Sequence, residues 1–228
     1  FASGLAAEDA VLRLLAPGTP AVEIIHRHDR FELALRVTSN PDLDVLAIEF
    51  SLTGDPLLRP YVLLAPHLGA TGYDNYAEVR RFGGRRVLAA EQGPFGLALA
   101  AVDNIQQDAF GAASAGYVGE SDGWQDFHRN GALTWSNATA GPGNVALVAA
   151  LPRSAVLALG FGSSKQAAAT LAIACLMQPF DNLLKHQIET WRQWHARRNA
   201  RSMLRPDESD ALANQLVLSS MVWRAHRD

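Results

Sequence analysis

The chain has 228 residues, of which 48% are hydrophobic and 19% charged, so we expect one main domain with a core of ordinary size and a small appendage. The formal net charge is −3, and the positive residues are dispersed up to residue 192, a pattern that excludes the broad cationic face of a nucleic-acid-binding or anionic-membrane-binding protein. A single cysteine, Cys175, excludes an intrachain disulfide and a thiolate zinc site, and its apolar neighbours predict a buried thiol.

Both ends of the sequence look internal to a longer protein. Residues 1–10 begin with Phe1 and lack the basic start and apolar centre of a secretory signal, so we expect the natural N-terminus to lie upstream. The apolar helical pattern of residues 210–225 stops without a Gly cap or a following Pro, so we expect truncation there too. The longest nearly uninterrupted apolar run, residues 167–177, is too short to cross a bilayer, and no membrane segment is predicted.

From residue 21 to about residue 161 the hydrophobic period is close to two, and the runs are short and bounded by turn residues, which predicts antiparallel strands. Gly83 and Gly84 predict a two-residue hairpin, because a type I′ turn needs positive φ at both central positions. The predicted strands are residues 21–28, 31–38, 45–52, 57–65, 76–82, 85–91, 96–102, 133–138, 143–151 and 155–161.

So many strands without intervening helices favour two packed antiparallel sheets, a large sandwich, over a parallel βαβ sheet. We expect this mainly β domain to occupy residues 1–162. After it, Ser163 or Ser164 is a candidate N-cap for a buried helix over residues 165–177, which Pro179 ends.

A second helix is predicted over residues 181–201, and we assign residues 163–205 to linker helices that pack on the sandwich. A break at residues 205–209 precedes a third helix, residues 210–225, whose apolar residues cover more than one stripe. Such a helix is unusual at a surface, so we assign residues 206–228 to the start of a further helical domain.

The most informative motif is the GESDGWQDF run, which follows a strand-like segment that ends near Tyr117. It matches the G-x-S-x-G frame around Ser121, but the antiparallel setting argues against the nucleophile elbow of an α/β-hydrolase. Its carboxylates, Glu120, Asp122 and Asp126, could divide acid and base roles in glycoside hydrolysis, whereas turn and capping bonds are the structural explanation.

Trp124 in the same run could stack on a pyranose ring, or pack in a core or domain interface. A second polar and aromatic loop follows the strand that ends near residue 65. Its candidate carbohydrate-binding or domain-interface residues are His67, Tyr73, Asp74 and Asn75. The corresponding candidates in the first motif are Glu120, Ser121, Asp122, Trp124 and Asp126.

The sequence predicts neither a metal site nor a cofactor. His26 and His28 face the same side of a predicted strand, but no third ligand has a suitable position. The glycines around Pro142 and Phe161 lack the G-x-G-x-x-G frame of a dinucleotide site and read as turns.

Taken in sequence order, several turn motifs resemble the N-terminal domain of bacterial and archaeal glucoamylases and glucodextranases, glycoside hydrolase family 15. The resemblance runs from about Ile24 to the end of the chain. Its separate segments are residues 61–75, 116–127, 143–147, 157–162 and the helix around residues 191–194.

This resemblance implies a β-supersandwich similar to galactose mutarotase, joined by linker helices to an (α/α)6 catalytic barrel. In the family, two glutamates on barrel loops carry out inverting hydrolysis of terminal α-glucosidic bonds. Neither glutamate has a matching position here, and the chain is expected to lack the first strands of the sandwich and most of the barrel.

The resulting hypothesis is a non-catalytic sandwich domain that supports the absent barrel of the same polypeptide. A second hypothesis makes the loops with Trp124 and Tyr73 an α-glucan-recognition surface. A third is a mutarotase-like activity, which needs a histidine and a glutamate, such as His67 and Glu120, facing one cleft.

Overall fold

The structure, a computed structural model, describes residues 10–198 and 210–226. Those residues form twelve strands, four α-helices and a short 3₁₀ helix, Leu68–Ala70. The strands are β1 (Ala10–Leu14), β2 (Ala21–His28), β3 (Phe31–Ser39), β4 (Val45–Gly54), β5 (Tyr61–Leu64), β6 (Asn75–Phe82), β7 (Arg85–Gln92), β8 (Phe95–Val102), β9 (Ala113–Tyr117), β10 (Thr139–Gly143), β11 (Val145–Ala150) and β12 (Ser154–Gly162). The helices are α1 (Gly123–Asn130), α2 (Lys165–Cys175), α3 (Phe180–Arg198) and α4 (Asp210–Ala225).

The strands pair antiparallel in two sheets. A nine-stranded sheet has the order β1-β2-β3-β4-β12-β8-β7-β6-β10, and a three-stranded sheet has the order β5-β11-β9. The prediction of a mainly antiparallel β fold followed by C-terminal helices is therefore confirmed. The hairpin at Gly83 and Gly84 is also confirmed, with φ angles of 55° and 83°.

Two predicted strands need correction. Residues 133–138 form no strand, because the backbone N–H groups of Thr134 and Trp135 donate to the carboxylate of Asp126 instead of to a neighbouring strand. The strand predicted over residues 57–65 is confined to β5, because Leu57 and Leu58 donate their N–H groups to Asp55 in a turn.

Four elements were absent from the predicted set: β1, β9, β10 and α1. The sequence of β9, ASAGY, consists mostly of small residues with little strand propensity, so its alternation is faint. The predicted helices 165–177 and 210–225 form as α2 and α4, and Ser164 caps α2 by accepting a hydrogen bond from the N–H of Ala167. The predicted second helix forms as α3, while its last residues and the break at 205–209 lie outside the described residues.

The nine-stranded sheet separates two apolar cores. On one face Leu88, Leu99 and Leu157 pack against Leu147 and the rest of the small sheet. On the other face Val87 and its neighbours pack against α2 and α3, where Cys175 is buried as predicted. Burial raises the pKa of the Cys175 thiol, so this side chain behaves as a small hydrophobic residue. The molecule thus has three layers: small sheet, large sheet and helices.

A row of opposite charges crosses the first four strands of the large sheet. Arg13 lies opposite Glu23, Glu23 opposite Arg36, and Arg36 opposite Glu49. Arg36 hydrogen-bonds the carboxylate of Glu49 at 2.6 Å and that of Asp181 at the start of α3 at 2.7 Å. Opposite charges in cross-strand positions stabilise a sheet, and here the row extends to the helical layer.

Helix α4 lies against α3. Arg224 places its guanidinium carbon 4.6 Å from the ring centre of Trp191 and 4.7 Å from that of Trp194, and Met221 is buried. An opposite face remains uncovered in the described part of the chain. Its exposed apolar side chains are Leu216, Leu218, Val222 and Trp223.

Among the described residues, no single helix combines the length and apolar composition needed to cross a membrane, and α2 with α3 meets that test only as a pair bent by 96°.

Candidate functional site

The two candidate loops meet at one edge of the small sheet. Strands β5 and β9 flank β11, and both are antiparallel to it, so β5 and β9 run in the same direction and end on the same side. Leu64, near the end of β5, lies opposite Leu147, and Tyr117, at the end of β9, lies opposite Val145. The loops after both strands therefore emerge beside the start of β11. We call this region, residues 65–75, 117–126 and 141–144, the loop edge.

Asn144 connects the two loops. Its backbone carbonyl accepts a hydrogen bond of 2.9 Å from the N–H of Val118, and its side-chain oxygen lies 3.3 Å from Nε2 of His67. Tyr117 adds a second connection, because its hydroxyl donates to the carbonyl of Gly141 at 3.2 Å and accepts from the N–H of Gly141 at 3.1 Å. These bonds fix the relative positions of all three segments.

The first loop folds around the buried side chain of Asn75. The Asn75 oxygen accepts from the N–H of Leu68 at 3.0 Å, and its amide nitrogen donates to the carbonyls of Thr71 and Tyr73, also at 3.0 Å. Asp74 occupies the left-handed region with φ 56°, a conformation that aspartate tolerates better than most residues. Asn75 is therefore a structural residue, and the loop presents His67, Tyr73 and Asp74 at the surface.

The second loop closes into helix α1. Asp122 caps this helix by accepting from the N–H of Gln125 at 2.9 Å, and it also accepts from the N–H of Gly119. The hydroxyl of Ser121 accepts a 3.0 Å bond from the N–H of Tyr117. Ser121 thus closes the turn, and the antiparallel pairing of β9 with β11 lacks the parallel sheet of a nucleophile elbow.

Asp126 is fully buried and holds the segment that follows α1. Its carboxylate accepts 2.7 Å bonds from the N–H groups of Thr134 and Trp135 and from the Thr134 hydroxyl, and a 2.8 Å bond from Asn130. Burial alone would raise the pKa of Asp126, but the bond from Trp135 and those from Asn130 and Thr134 outweigh it, so the pKa lies below its usual range. A saturated, ionised carboxylate of this kind stabilises structure and has no lone pair left for a substrate.

Of the three carboxylates in the motif, Glu120 alone is exposed, while Asp122 and Asp126 are buried. The hydrogen bonds of the buried pair fit the capping and turn explanation better than a division of acid and base roles. Within the described residues, no hydrogen bond joins His67 to Glu120, the pair that a mutarotase-like activity would use. In that same part of the chain, no group of three or more His, Cys, Asp or Glu residues could hold a metal ion.

Several aromatic side chains at or beside the loop edge are exposed. Tyr73 is 79% exposed and Trp124 55% exposed. Tyr76, at the start of β6, and Tyr117 are also partly exposed, and both rings approach the segment between Gly141 and Gly143. Aromatic faces of this kind suit the C–H side of a sugar ring or an apolar partner.

Sequence reasoning did not include Asn144 or Tyr117 among the candidate residues. The register of β5, β11 and β9 brings them to the loop edge, and that register is a long-range property. Helix α1 had a local signal, because Asp122 is followed three residues later by Gln125 and Gly131 ends the helix in the left-handed conformation.

The sequence model of the family described as "Glucodextranase, domain N" matches residues 6–196. The chain belongs to this family. The domain N match begins before β1 and ends within α3, so it includes both sheets and α2 but not α4.

Solved structures support the same fold for domain N. A bacterial glucoamylase, crystallised as a complex with acarbose, matches with a TM-score of 0.74 at 20% sequence identity. The alignment covers 82% of this chain and 29% of the glucoamylase chain. The chain thus spans less than a third of that enzyme, which is consistent with a catalytic domain elsewhere in the same polypeptide. A search of curated proteins finds no match.

Proposed function

We propose that this chain is the non-catalytic N-terminal sandwich of a glycoside hydrolase, and that it supports an (α/α)6 catalytic barrel of the same polypeptide. The parent enzyme would release glucose from the ends of α-glucans by inverting hydrolysis of α-glucosidic bonds. In this proposal residues 1–162 are the sandwich, residues 163–205 link the domains, and residues 206–228 begin the barrel.

The uncovered face of α4 carries the proposal. Val222 is 53% exposed and Trp223 63% exposed, and with Leu216 and Leu218 they form one apolar arc among the described residues. Exposed apolar patches of this kind mark interaction surfaces. The family match ends at residue 196, before α4 begins, so the arc belongs to a segment beyond domain N. A helical neighbour that follows α4 in the chain would cover it.

The carboxylates of the loop edge add support. Hydrolysis with inversion needs an acid and a base that both reach the substrate. Asp122 and Asp126 are buried and committed to backbone and side-chain donors, which leaves Glu120 without a carboxylate partner in the motif that could share such a reaction. A supporting role needs no such pair.

The test compares this chain with the complete product of its gene. We expect the chain alone to release no glucose from maltodextrin, and the complete product to release it.

In the complete product, Leu218→Asp with Val222→Asp should lower the temperature of half-inactivation by several degrees, because two charges would enter the covered arc. Ile105→Asp is the matched control, because Ile105 is an exposed apolar residue in the turn after β8. Glucose release by the chain alone, or equal effects of the two substitutions, would reject the proposal.

A second candidate function is carbohydrate recognition by the loop edge. The observation that favours it is the cluster of exposed Tyr73, Tyr76, Tyr117 and Trp124 beside rigid polar loops. Titration with maltose, isomaltose and longer α-glucans should then give saturable chemical-shift changes, which Trp124→Ala or Tyr73→Ala should reduce. Phe95→Ala is the control, because Phe95 is exposed at the start of β8. Unchanged spectra with all of the sugars would exclude this function.

A further inference from the structure

Three arginines on the first four strands of the large sheet face glutamates across the ladder. Arg13 lies opposite Glu23, Arg27 opposite Glu32, and Arg36 opposite Glu49. In the β6–β7 hairpin, Arg81 instead lies opposite Arg86. Like charges directly opposite each other destabilise a sheet, so this pair needs a compensating interaction.

The hairpin concentrates positive charge. Its sequence from residue 80 to residue 86 is RRFGGRR, four arginines in seven residues, a local concentration that the sequence reading of dispersed charge overlooked. Arg80 lies 3.5 Å from Glu78, which also pairs with Lys165. Among the described residues, no carboxylate lies within ion-pair distance of the guanidinium groups of Arg81, Arg85 or Arg86.

The guanidinium groups of the opposed pair bond to carbonyl oxygens instead. Arg81 donates from Nη1 to the carbonyl of Gly84 at 2.9 Å. Arg86 donates from Nη1 to the carbonyls of Phe110, at 3.2 Å, and Gly111. An arginine carries five N–H donors, so each guanidinium keeps several beyond the bonds formed within the described residues.

Both arginines line an open groove of about 370 Å³ at the end of the sandwich. Ser136 and Asn137 also line it, and among the described residues no carboxylate is part of its lining. Arg80 belongs to the lining too, but its guanidinium lies 3.5 Å from the carboxylate of Glu78. The neighbouring carboxylate of Asp108 is engaged, because it accepts bonds from the backbone N–H groups of Arg86 and Phe110. The groove is therefore cationic and rich in hydrogen-bond donors.

We propose that this groove binds a phosphate group through Arg81 and Arg86. A tetrahedral dianion would neutralise the opposed guanidinium groups and accept paired N–H bonds from each, the geometry for which arginine is better suited than lysine. In this proposal the hydroxyl of Ser136 and the amide of Asn137, two residues of the same lining, donate to the remaining oxygens. The groove is wide enough to admit inorganic phosphate or the phosphate of a phosphorylated sugar, and both present the same group.

The test is a calorimetric titration of the chain with inorganic phosphate and with glucose 1-phosphate, at constant ionic strength set by sodium chloride. Constant ionic strength is essential because the groove is open to solvent and screening weakens its field. We expect saturable binding of phosphate. Arg81→Gln should bind phosphate roughly tenfold more weakly, because it removes the charge-assisted hydrogen bonds of one guanidinium. Arg81→Lys should recover only part of the affinity. Arg27→Gln replaces an ion-paired strand arginine and should leave the affinity unchanged.

Tighter binding of glucose 1-phosphate than of inorganic phosphate would identify a phosphorylated sugar as the source. Equal binding of the two would identify the phosphate group alone.

A second test measures thermal stability together with phosphate binding. Arg81→Glu would place a carboxylate opposite Arg86, so it should raise the melting temperature in chloride buffer and abolish phosphate binding. Arg27→Glu, which would oppose Glu32, should lower the melting temperature.

The proposal would be overturned if no phosphate binding were seen up to about 10 mM, a concentration at which even a millimolar complex would form. Equal affinity of the wild-type chain and Arg81→Gln would overturn it as well.

Discussion

Arg36 on β3 donates a 2.7 Å hydrogen bond to Asp181, the second residue of α3, and so joins the helical layer to the large sheet. The same guanidinium bonds Glu49 and lies 4.9 Å from the ring centre of Phe180. Burial alone would lower the pKa of Arg36, but the bond to Asp181 and the charge and bond of Glu49 outweigh it, and its pKa is raised. One side chain thus connects two strands and a helix.

Replacement of Arg36 by glutamine should therefore destabilise the chain by about 1–3 kcal/mol, because it removes two charged hydrogen bonds from a partly buried site. Asp181→Asn should cost under about 1 kcal/mol, because the Asp181 side chain is 65% exposed and solvent screens the pair. Urea unfolding followed by circular dichroism measures both. Arg27→Gln is the control for an exposed strand ion pair, and an equal loss in Arg27→Gln and Arg36→Gln would contradict the assigned role.

Asp126→Asn should lower the free energy of unfolding at pH 7 by about 2–3 kcal/mol, because an amide cannot accept all the bonds that the carboxylate accepts from Thr134, Trp135 and Asn130. The matched control, Glu120→Gln, alters an exposed side chain and should change little. Equal stability of Asp126→Asn and the wild-type chain would show that the buried network contributes nothing.

The depressed pKa of Asp126 predicts that the stability difference between the wild-type chain and Asp126→Asn depends on pH. The folded-state pKa of Asp126 is depressed, so its contribution to stability is complete above the unfolded-state pKa, about 3.9, and is lost as the pH falls through the lower folded-state pKa. The stability difference between the wild-type chain and Asp126→Asn should therefore be constant from pH 5 to pH 7, and shrink below about pH 4. Unfolding curves at several pH values measure it, and a difference that grows with acidity would have the wrong sign.

Gly116→Ala tests whether the second loop depends on a close backbone approach. A Cβ atom at Gly116 would lie 2.0 Å from the carbonyl oxygen of Ser121 and 2.8 Å from the nitrogen of Asp122, so the turn would have to move. We expect a loss of more than about 3 kcal/mol, within the range of the most damaging single substitutions. Gly119→Ala should cost about 1–2 kcal/mol, because Gly119 has φ 81° but open space around it. Thermal melts of the two variants give the comparison, and a reversed order would mean that the turn can move at little cost.

The fold could be predicted from the sequence where the local strand and turn patterns agree with the pairing in the sheet. Strand β2 was predicted with its observed ends. The turn at Gly83 and Gly84 was predicted because a type I′ turn needs positive φ at both central positions, which glycine adopts readily. Prediction failed where a side chain redirected the backbone. Asp126 takes the N–H groups of residues 134 and 135, which removes a strand that the hydrophobic pattern favours.

The loop edge was predictable only in part, because some of its contacts are local and others depend on strand register. Asp122 and Asp126 were recognised as candidate caps or turn residues from their neighbours, and their hydrogen bonds are local. Asn144 lies 77 residues from His67 in the chain, so their approach depends on the register of β5, β11 and β9. The opposed pair of Arg81 and Arg86, by contrast, follows from the predicted hairpin at Gly83 and Gly84, although the net charge alone does not show it.

Arg224→Met should loosen α4 from α3 while keeping most of the apolar stem over the indole rings. The guanidinium lies within 4.7 Å of the ring centres of both Trp191 and Trp194, and such contacts contribute about 0.5–2 kcal/mol. Burial, followed by the nearby charge of Arg197, lowers the pKa of Arg224, so part of this gain is offset and we expect a net loss of about 1 kcal/mol. Hydrogen exchange of the α4 amides should then accelerate roughly fivefold, since local opening free energy sets the rate. Arg192→Met removes an exposed arginine from α3 and should leave exchange in α4 unchanged. Equal acceleration in both variants would mean that the aromatic contact does not hold α4 in place.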